Sequence, residues 1–139
     1  MDVTRYEISP RPDNTALNRL FARAWPEHED RDFTRLLQHS LVYVCAYSGQ
    51  TLIGFANVAG DGGVHAFLLD PTVDPDFQRQ GIGREMIRLA AEASRRCGAQ
   101  WLHVDYEPRL EGFYEGAGFR PTCAGLMNLA TSVVYRKSC

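Results

Sequence analysis

The chain opens with a short run, Tyr6-Glu7-Ile8, that reads as a strand ended by Pro10 and Pro12. Apolar residues then recur at three- and four-residue steps: Leu17, Leu20, Phe21 and Ala24. That spacing predicts an amphipathic helix, capped by Asp13 or Asn14 and stopped at Trp25-Pro26. Phe33, Leu36 and Leu37 share one face of a second short helix expected over 31–39. The period then changes. Leu41 to Tyr47 is a run of strand formers, Ser48-Gly49-Gln50 is a turn, and Thr51 to Ala59 is a second strand, which together make a hairpin. Gly60-Asp61-Gly62-Gly63 turns the chain into a third strand, Val64 to Val73. Pro71 lies inside that run and lacks an N–H, so the strand should bulge or lose pairing on one side there.

From Gly81 to Cys97 the helical period returns, with Ile82, Met86, Leu89, Ala90, Ala93 and Cys97 on one stripe. Glu92 precedes Arg96 by four residues, a favourable surface pair, and Gly98 suits the C-terminal cap. Trp101 to Tyr106 reads as a fourth long strand. Pro108 opens a short helix through Tyr114, ended by Gly116 or Gly118, and Phe119 to Thr122 with Leu126 to Tyr135 could form a terminal strand pair. This order predicts an α/β (α+β) fold: a mixed, mostly antiparallel central sheet with helices on both faces. With no repeat, linker or low-complexity segment in 139 residues, a single domain over 1–139 is expected.

Composition changes that picture little. Hydrophobic residues at 45% and charged residues at 23% are ordinary globular usage. A formal charge of −2 argues against a general nucleic-acid binder. Cys45, Cys97, Cys123 and Cys139 form no C-x-x-C pair, so zinc and thioredoxin-type readings fail and no metal is expected; reduced, mostly buried thiols are. The residues after Met1 show no apolar run of a signal peptide, and no stretch approaches a membrane span, so a cytoplasmic location without membrane contact is expected.

The chemistry concentrates in Val73-Asp74-Pro75-Asp76-Phe77-Gln78-Arg79-Gln80-Gly81-Ile82-Gly83-Arg84. A strand ends, a turn follows, and a helix begins among glycines. Unpaired N–H groups and a partial positive charge make such a helix start suitable for phosphate. Gly81 and Gly83 let an anion approach the backbone, and Arg79 and Arg84 can add charge-assisted hydrogen bonds or stand as solvated surface residues. A Rossmann fingerprint would need glycine or alanine where Met86 stands, and a Walker A loop would need Gly-Lys-Ser/Thr.

Two landmarks carry a resemblance. Gln78-Arg79-Gln80-Gly81-Ile82-Gly83, led in by Val73-Asp74-Pro75-Asp76-Phe77, resembles the Gln/Arg-x-x-Gly-x-Gly/Ala loop of the GNAT superfamily of acetyl-CoA-dependent N-acetyltransferases. Phe113-Tyr114-Glu115-Gly116-Ala117-Gly118-Phe119, about thirty residues on, looks like the family's second landmark. The resemblance runs from about Leu68 to Pro121; the N-terminal half agrees in element order only.

The resemblance implies a GNAT-like fold and acetyl-CoA as co-substrate. Pro71-Thr72-Val73 would pair with the pantetheine arm, the Val73 N–H would donate to the thioester oxygen, and Gln78, Arg79, Gln80, Gly81, Ile82, Gly83 and Arg84 would hold the pyrophosphate. Tyr114 matches the family's general acid and would contact the sulfur. Family members commonly carry asparagine seven residues before that tyrosine; this chain has Glu107, which puts that cofactor contact in doubt.

The attacking amine must lose a proton. Asp70 and Asp105 are the leading candidates for the base, with Glu107, His65 and His103 behind them. The acidic run Pro26 to Asp32 could attract a cationic amine or be a solvated turn with a capping acid; Trp25 and Phe67 could line an apolar wall or pack the core. No cysteine is placed for an acyl-enzyme, so direct transfer in a ternary complex to a small-molecule or peptide amine is expected, by a monomer or homodimer. A non-catalytic acyl-CoA-binding or sensing module of the same fold, and an unrelated mononucleotide or phosphosugar binder, are the competing readings.

Overall fold

A computed structural model describes residues 3–130. After Val104 the chain divides into two compact units, described in turn.

The first unit carries a five-stranded sheet in the order β1-β2-β3-β4-β5, built from Thr4–Ile8, Ser40–Ser48, Thr51–Gly60, His65–Val73 and Trp101–His103. The first four strands are antiparallel neighbours and only β4 and β5 run parallel. Helices α1 (Asn14–Ala24), α2 (Thr34–Gln38) and α3 (Ile82–Arg96) complete it. Asp13 caps α1, its carboxylate accepting from the Thr15 N–H at 2.8 Å.

Alternation along the strands sends side chains to two faces. Tyr43, Cys45, Leu52 and Phe55 pack with Leu17, Leu20 and Phe21 of α1 and with Phe33. Leu52 and Phe55 stand three apart yet share that face, because the register slips between Ala46 and Tyr47 and leaves Ile53 as the extra residue. The opposite face receives α3, whose Ile82, Met86, Ile87, Ala90 and Ala93 are buried. Gly54 permits the close approach: a Cβ there would lie 2.9 Å from Met86 Sδ. Helices therefore cover both faces, as expected.

The expected α3 stripe needs two changes. Ile87 joins it, and Cys97 leaves it, because the helix ends at Arg96 and Gly98 (φ +98°) turns the chain away. Cys97 and Cys123 are exposed free thiols, so mostly buried cysteines is not what the described residues show. Of the described cysteines only Cys45 is buried, and burial pushes its thiol up to about 12.

β5 is also shorter than the strand expected over Trp101 to Tyr106. A strand persists only while it has a partner, and the parallel register with β4 stops at Phe67 opposite His103. The second unit holds a 3-10 turn, Pro108–Leu110, and helix α4, Glu111–Gly116, closed by Gly118 at φ +107°. No strand forms over 119–130, which removes the expected Phe119 to Thr122 strand; the remainder of the Leu126 to Tyr135 expectation lies outside the described residues.

Candidate active site

β4 reaches the loop through the bulge that Pro71 predicts. Asn57 opposes Leu69 but Phe55 opposes Thr72, so Asp70 and Pro71 together face the single Ala56. Asp70 takes φ +51° to accommodate the extra residue. Beyond the bulge the strand's two edges differ. The Asp74 N–H donates to Ile53 O at 2.8 Å, which turns the Val73 carbonyl away from β3. Antiparallel alternation then makes Val73–Gly54 a non-hydrogen-bonded pair, so the Val73 N–H also faces the outer edge. β5 has already ended on that side. The Val73 carbonyl accepts from the Gln78 side-chain amide at 3.2 Å. Thr72 is different: it is buried, and its hydroxyl accepts from Trp25 Nε1 at 3.1 Å and donates to Asp70 O at 2.8 Å.

The loop itself is a 3-10 turn, Pro75–Phe77, then Gln78 to Gly81. Arg79 adopts φ +64° and Gly81 φ +82°, and Gly81 is the N-cap of α3. Gly81 supplies no capping side chain. Its carbonyl accepts from the Glu85 N–H at 3.0 Å, so the N–H groups of Ile82, Gly83 and Arg84 are the first-turn donors left without a helical partner. A Cβ at Gly81 would meet nothing within 4 Å, so glycine is needed for its backbone conformation and not for space. Arg79 and Arg84 are exposed and form no ion pair among the described residues.

A residue that sequence reasoning passed over holds the loop in place. Asp74 is 1% exposed. Its carboxylate accepts two bonds from the Arg23 guanidinium of α1, at 2.6 and 3.0 Å, and one from the Asp76 N–H at 2.9 Å. Arg23 also reaches Asp76 at 2.8 Å. The hydrogen bond from Arg23 holds the Asp74 carboxyl below its ordinary value. A group whose folded pKa is depressed contributes stability above its unfolded value of 3.8, and that contribution is lost as pH falls through the depressed value. Asp74→Asn is therefore expected to lower Tm by about 5–10 °C at pH 7 and to flatten the loss of stability below pH ~4, read from denaturation midpoints between pH 7 and pH 3.

A second unforeseen hub folds the acidic connection onto α1. Asn18, nearly buried, donates from Nδ2 to Asn14 O at 3.0 Å and Arg31 O at 2.8 Å. Its Oδ1 accepts from the Arg31 N–H at 3.0 Å and lies 2.8 Å from His28 Nε2, which assigns that nitrogen the proton. All four of its hydrogen-bonding positions are used. Asn18→Ala leaves several of these partners unpaired, and a loss of about 2–4 kcal/mol in urea denaturation is expected. Asp32, from the same acidic run, precedes the N-cap Phe33 and accepts from the Thr34 N–H at 2.9 Å. Phe21, Trp25, His28, Arg31 and Asp70 line a cleft of about 240 Å³ beside this connection.

The other candidates fall elsewhere. His65 Nδ1 lies 2.9 Å from His103 Nε2, and His103 stacks on Phe67 at 4.7 Å. His65 is eight residues from Val73 along β4, roughly 26 Å for an extended strand, so this pair and Phe67 belong to the far end of β4. Asp105 lies beyond β5, not on it. In the second unit, Tyr114 is buried, stacked on Tyr106 at 4.8 Å and edge-on to Phe119 at 5.8 Å. Its hydroxyl takes no hydrogen bond among the described residues and is not among buried unpaired atoms, so the ring is buried while the oxygen meets solvent. Burial, and then the Asp105 charge, raise its pKa above the ordinary 10.0. Glu107 is exposed and pairs with Arg109 at 2.8 Å.

The model of the acetyltransferase (GNAT) family matches residues 11–119. The chain belongs to the GNAT acetyltransferase family. It is 35% identical over 112 residues to a chloroplastic serotonin N-acetyltransferase 2 of Oryza sativa subsp. japonica, covering 77% of this chain and 56% of the relative. It is 32% identical over 106 residues to the chloroplastic GCN5-related N-acetyltransferase 1 of Arabidopsis thaliana, covering 74% and 54%. The chain thus spans about half the length of these curated relatives. Among solved structures, a GNAT-family acetyltransferase of Streptococcus pneumoniae superposes with a TM-score of 0.78 at 24% identity, over 91% of this chain and 98% of the other. An aminoglycoside N-acetyltransferase in complex with CoA gives 0.75 at 19% identity, over 100% and 97%. These two likenesses show the GNAT fold.

The residues present fit the co-substrate that GNAT proteins use. An outward Val73 N–H on a strand edge suits an amide-bearing arm, and the uncapped start of α3 suits a pyrophosphate. Among the described residues no helix of this GNAT chain is long and apolar enough to cross a membrane.

Proposed function

We propose that this chain transfers an acetyl group from acetyl-CoA to a primary amine by direct attack in a ternary complex. The observation that carries the reading is the continuous run from the open edge at Val73 into the left-handed Gly81 and the uncapped first turn of α3. In this reading the backbone from Gln78 to Arg84 binds the pyrophosphate, with Arg79 and Arg84 neutralising charge. The outer edge at Pro71 and Val73 binds the arm, and the Val73 N–H donates to the thioester oxygen as negative charge develops on it. Thr72 contributes by fixing the strand end through Trp25, not by direct contact.

Asp70, exposed and set at the bulge three residues before Val73, accepts the proton that the amine gives up. The amine nitrogen bonds to the acetyl carbon as the carbon–sulfur bond breaks, and Tyr114 gives its proton to the departing sulfur. Burial first, and the Asp105 charge second, favour the protonated form of Tyr114.

Arylalkylamines lead the acceptor panel, since Phe21, Trp25 and His28 line the cleft and a relative is named for serotonin. Purified protein incubated with acetyl-CoA and amines, followed by release of free thiol, tests the reading. Thiol release that depends on the amine supports it. Tight binding of CoA with no turnover on any amine favours the sensing module, and stabilisation by ADP equal to that by CoA favours a mononucleotide site.

A further inference from the structure

The cleft beside the bulge is lined by groups of opposite charge. Asp70 brings a carboxylate, Arg31 a guanidinium, and Phe21, Trp25 and His28 the rest of the wall. At about 240 Å³ it lies below the ~300–1,000 Å³ typical of drug-sized sites, a volume suited to a one- or two-ring molecule.

Neither charge collapses onto the other: among the described residues, no ion pair joins Asp70 to Arg31, and neither enters an ion pair elsewhere. Their placement differs. Asp70 is the left-handed residue of the bulge, which fixes its backbone. Arg31 has its backbone N–H and C=O both bound by the Asn18 side chain, and its guanidinium stacks over Phe33 at 4.6 Å and Phe21 at 5.9 Å. Trp25 is 47% exposed, yet its indole N–H is fixed to Thr72. Arg31 also borders an adjoining hollow of about 500 Å³ that Arg19 and Asp30 share, so among the described residues Arg31 is the one cation lining the smaller cleft. A preorganised guanidinium is a specific receptor for a carboxylate.

We infer that the acceptor is zwitterionic: an arylalkylamine that also carries a carboxylate, as an aromatic α-amino acid does. Asp70 receives the ammonium, Arg31 the carboxylate, and the ring lies against Trp25 and His28. A cationic arylalkylamine uses only half of this arrangement. The inference rests on the acetyl-transfer reading for its biological sense, and on the cleft alone for its selectivity.

The test compares matched pairs that differ by the carboxylate, phenylalanine with phenethylamine and tryptophan with tryptamine. Both calorimetric Kd in the presence of CoA and kcat/KM are measured. The expected result is a preference for the amino acid of roughly 10- to 100-fold. Arg31→Gln should bring that ratio close to one and Arg31→Lys should restore part of it, with Tm recorded for each variant. Equal or better binding of the decarboxylated member by the wild type overturns the inference, as does an equal loss for both members in Arg31→Gln. Transfer to amines without a carboxylate preference leaves the acetyl-transfer reading standing and removes this one. A binding preference that depends on Arg31, with no transfer to any amine, does the reverse.

Discussion

Tyr114→Phe is expected to lower kcat by roughly 10²–10⁴-fold while leaving KM for acetyl-CoA nearly unchanged. The ring already does the structural work: it is buried against Tyr106 and Phe119, and phenylalanine keeps those contacts. Only the hydroxyl is lost, and it makes no hydrogen bond among the described residues whose loss would disturb the fold. The departing sulfur would then leave without a proton donor. The pH profile gives a second readout. The reactive form of Tyr114 is the protonated one, and burial and Asp105 raise its pKa, so its alkaline limb should lie above pH 10. Asp105→Asn removes one cause of that rise and should draw the limb down. A non-catalytic binder would show neither effect, and a Tyr114→Phe protein with wild-type kcat would end the assignment.

How much of this was legible beforehand depends on whether the determinant was local. The bulge was, because a proline without an N–H inside a strand calls for a bulge or for lost pairing on one side. The loop and α3 were, because a glycine at a helix start and a 3.6-residue stripe are both written in adjacent residues. Asp74 was not. As a sequence feature it is one more acid in a polar turn, and its burial depends on Arg23, 51 residues away. Asn18 was not, for the same reason: its partners at Arg31 and His28 become neighbours only after the connection folds back. β5 was overestimated because Trp101 to Tyr106 has good strand formers throughout, while its pairing with β4 ends at Phe67 opposite His103 and leaves the rest of that edge open.

Gly81→Val should weaken CoA binding by about 10- to 100-fold, with a smaller loss of about 3–8 °C in Tm. The reason is conformational. Gly81 holds φ +82°, a region that a β-branched residue enters only with strain, and a Cβ would touch nothing within 4 Å. Crowding in the free protein is thus absent, and the protein can relieve the strain by letting Gly81 rotate out of the left-handed region. That movement redirects the first-turn N–H groups of Ile82, Gly83 and Arg84, the donors on which an anion depends. The conformational account predicts an order among substitutions. Asn tolerates the left-handed region, so Gly81→Asn should retain most of the affinity, Gly81→Ala should fall between, and Gly81→Val should lose most. A steric account predicts instead that Asn, the larger side chain, loses more than Ala. Calorimetric Kd values for CoA across the three variants separate the two, and a wild-type Kd in Gly81→Val would show that the start of α3 does not hold the pyrophosphate.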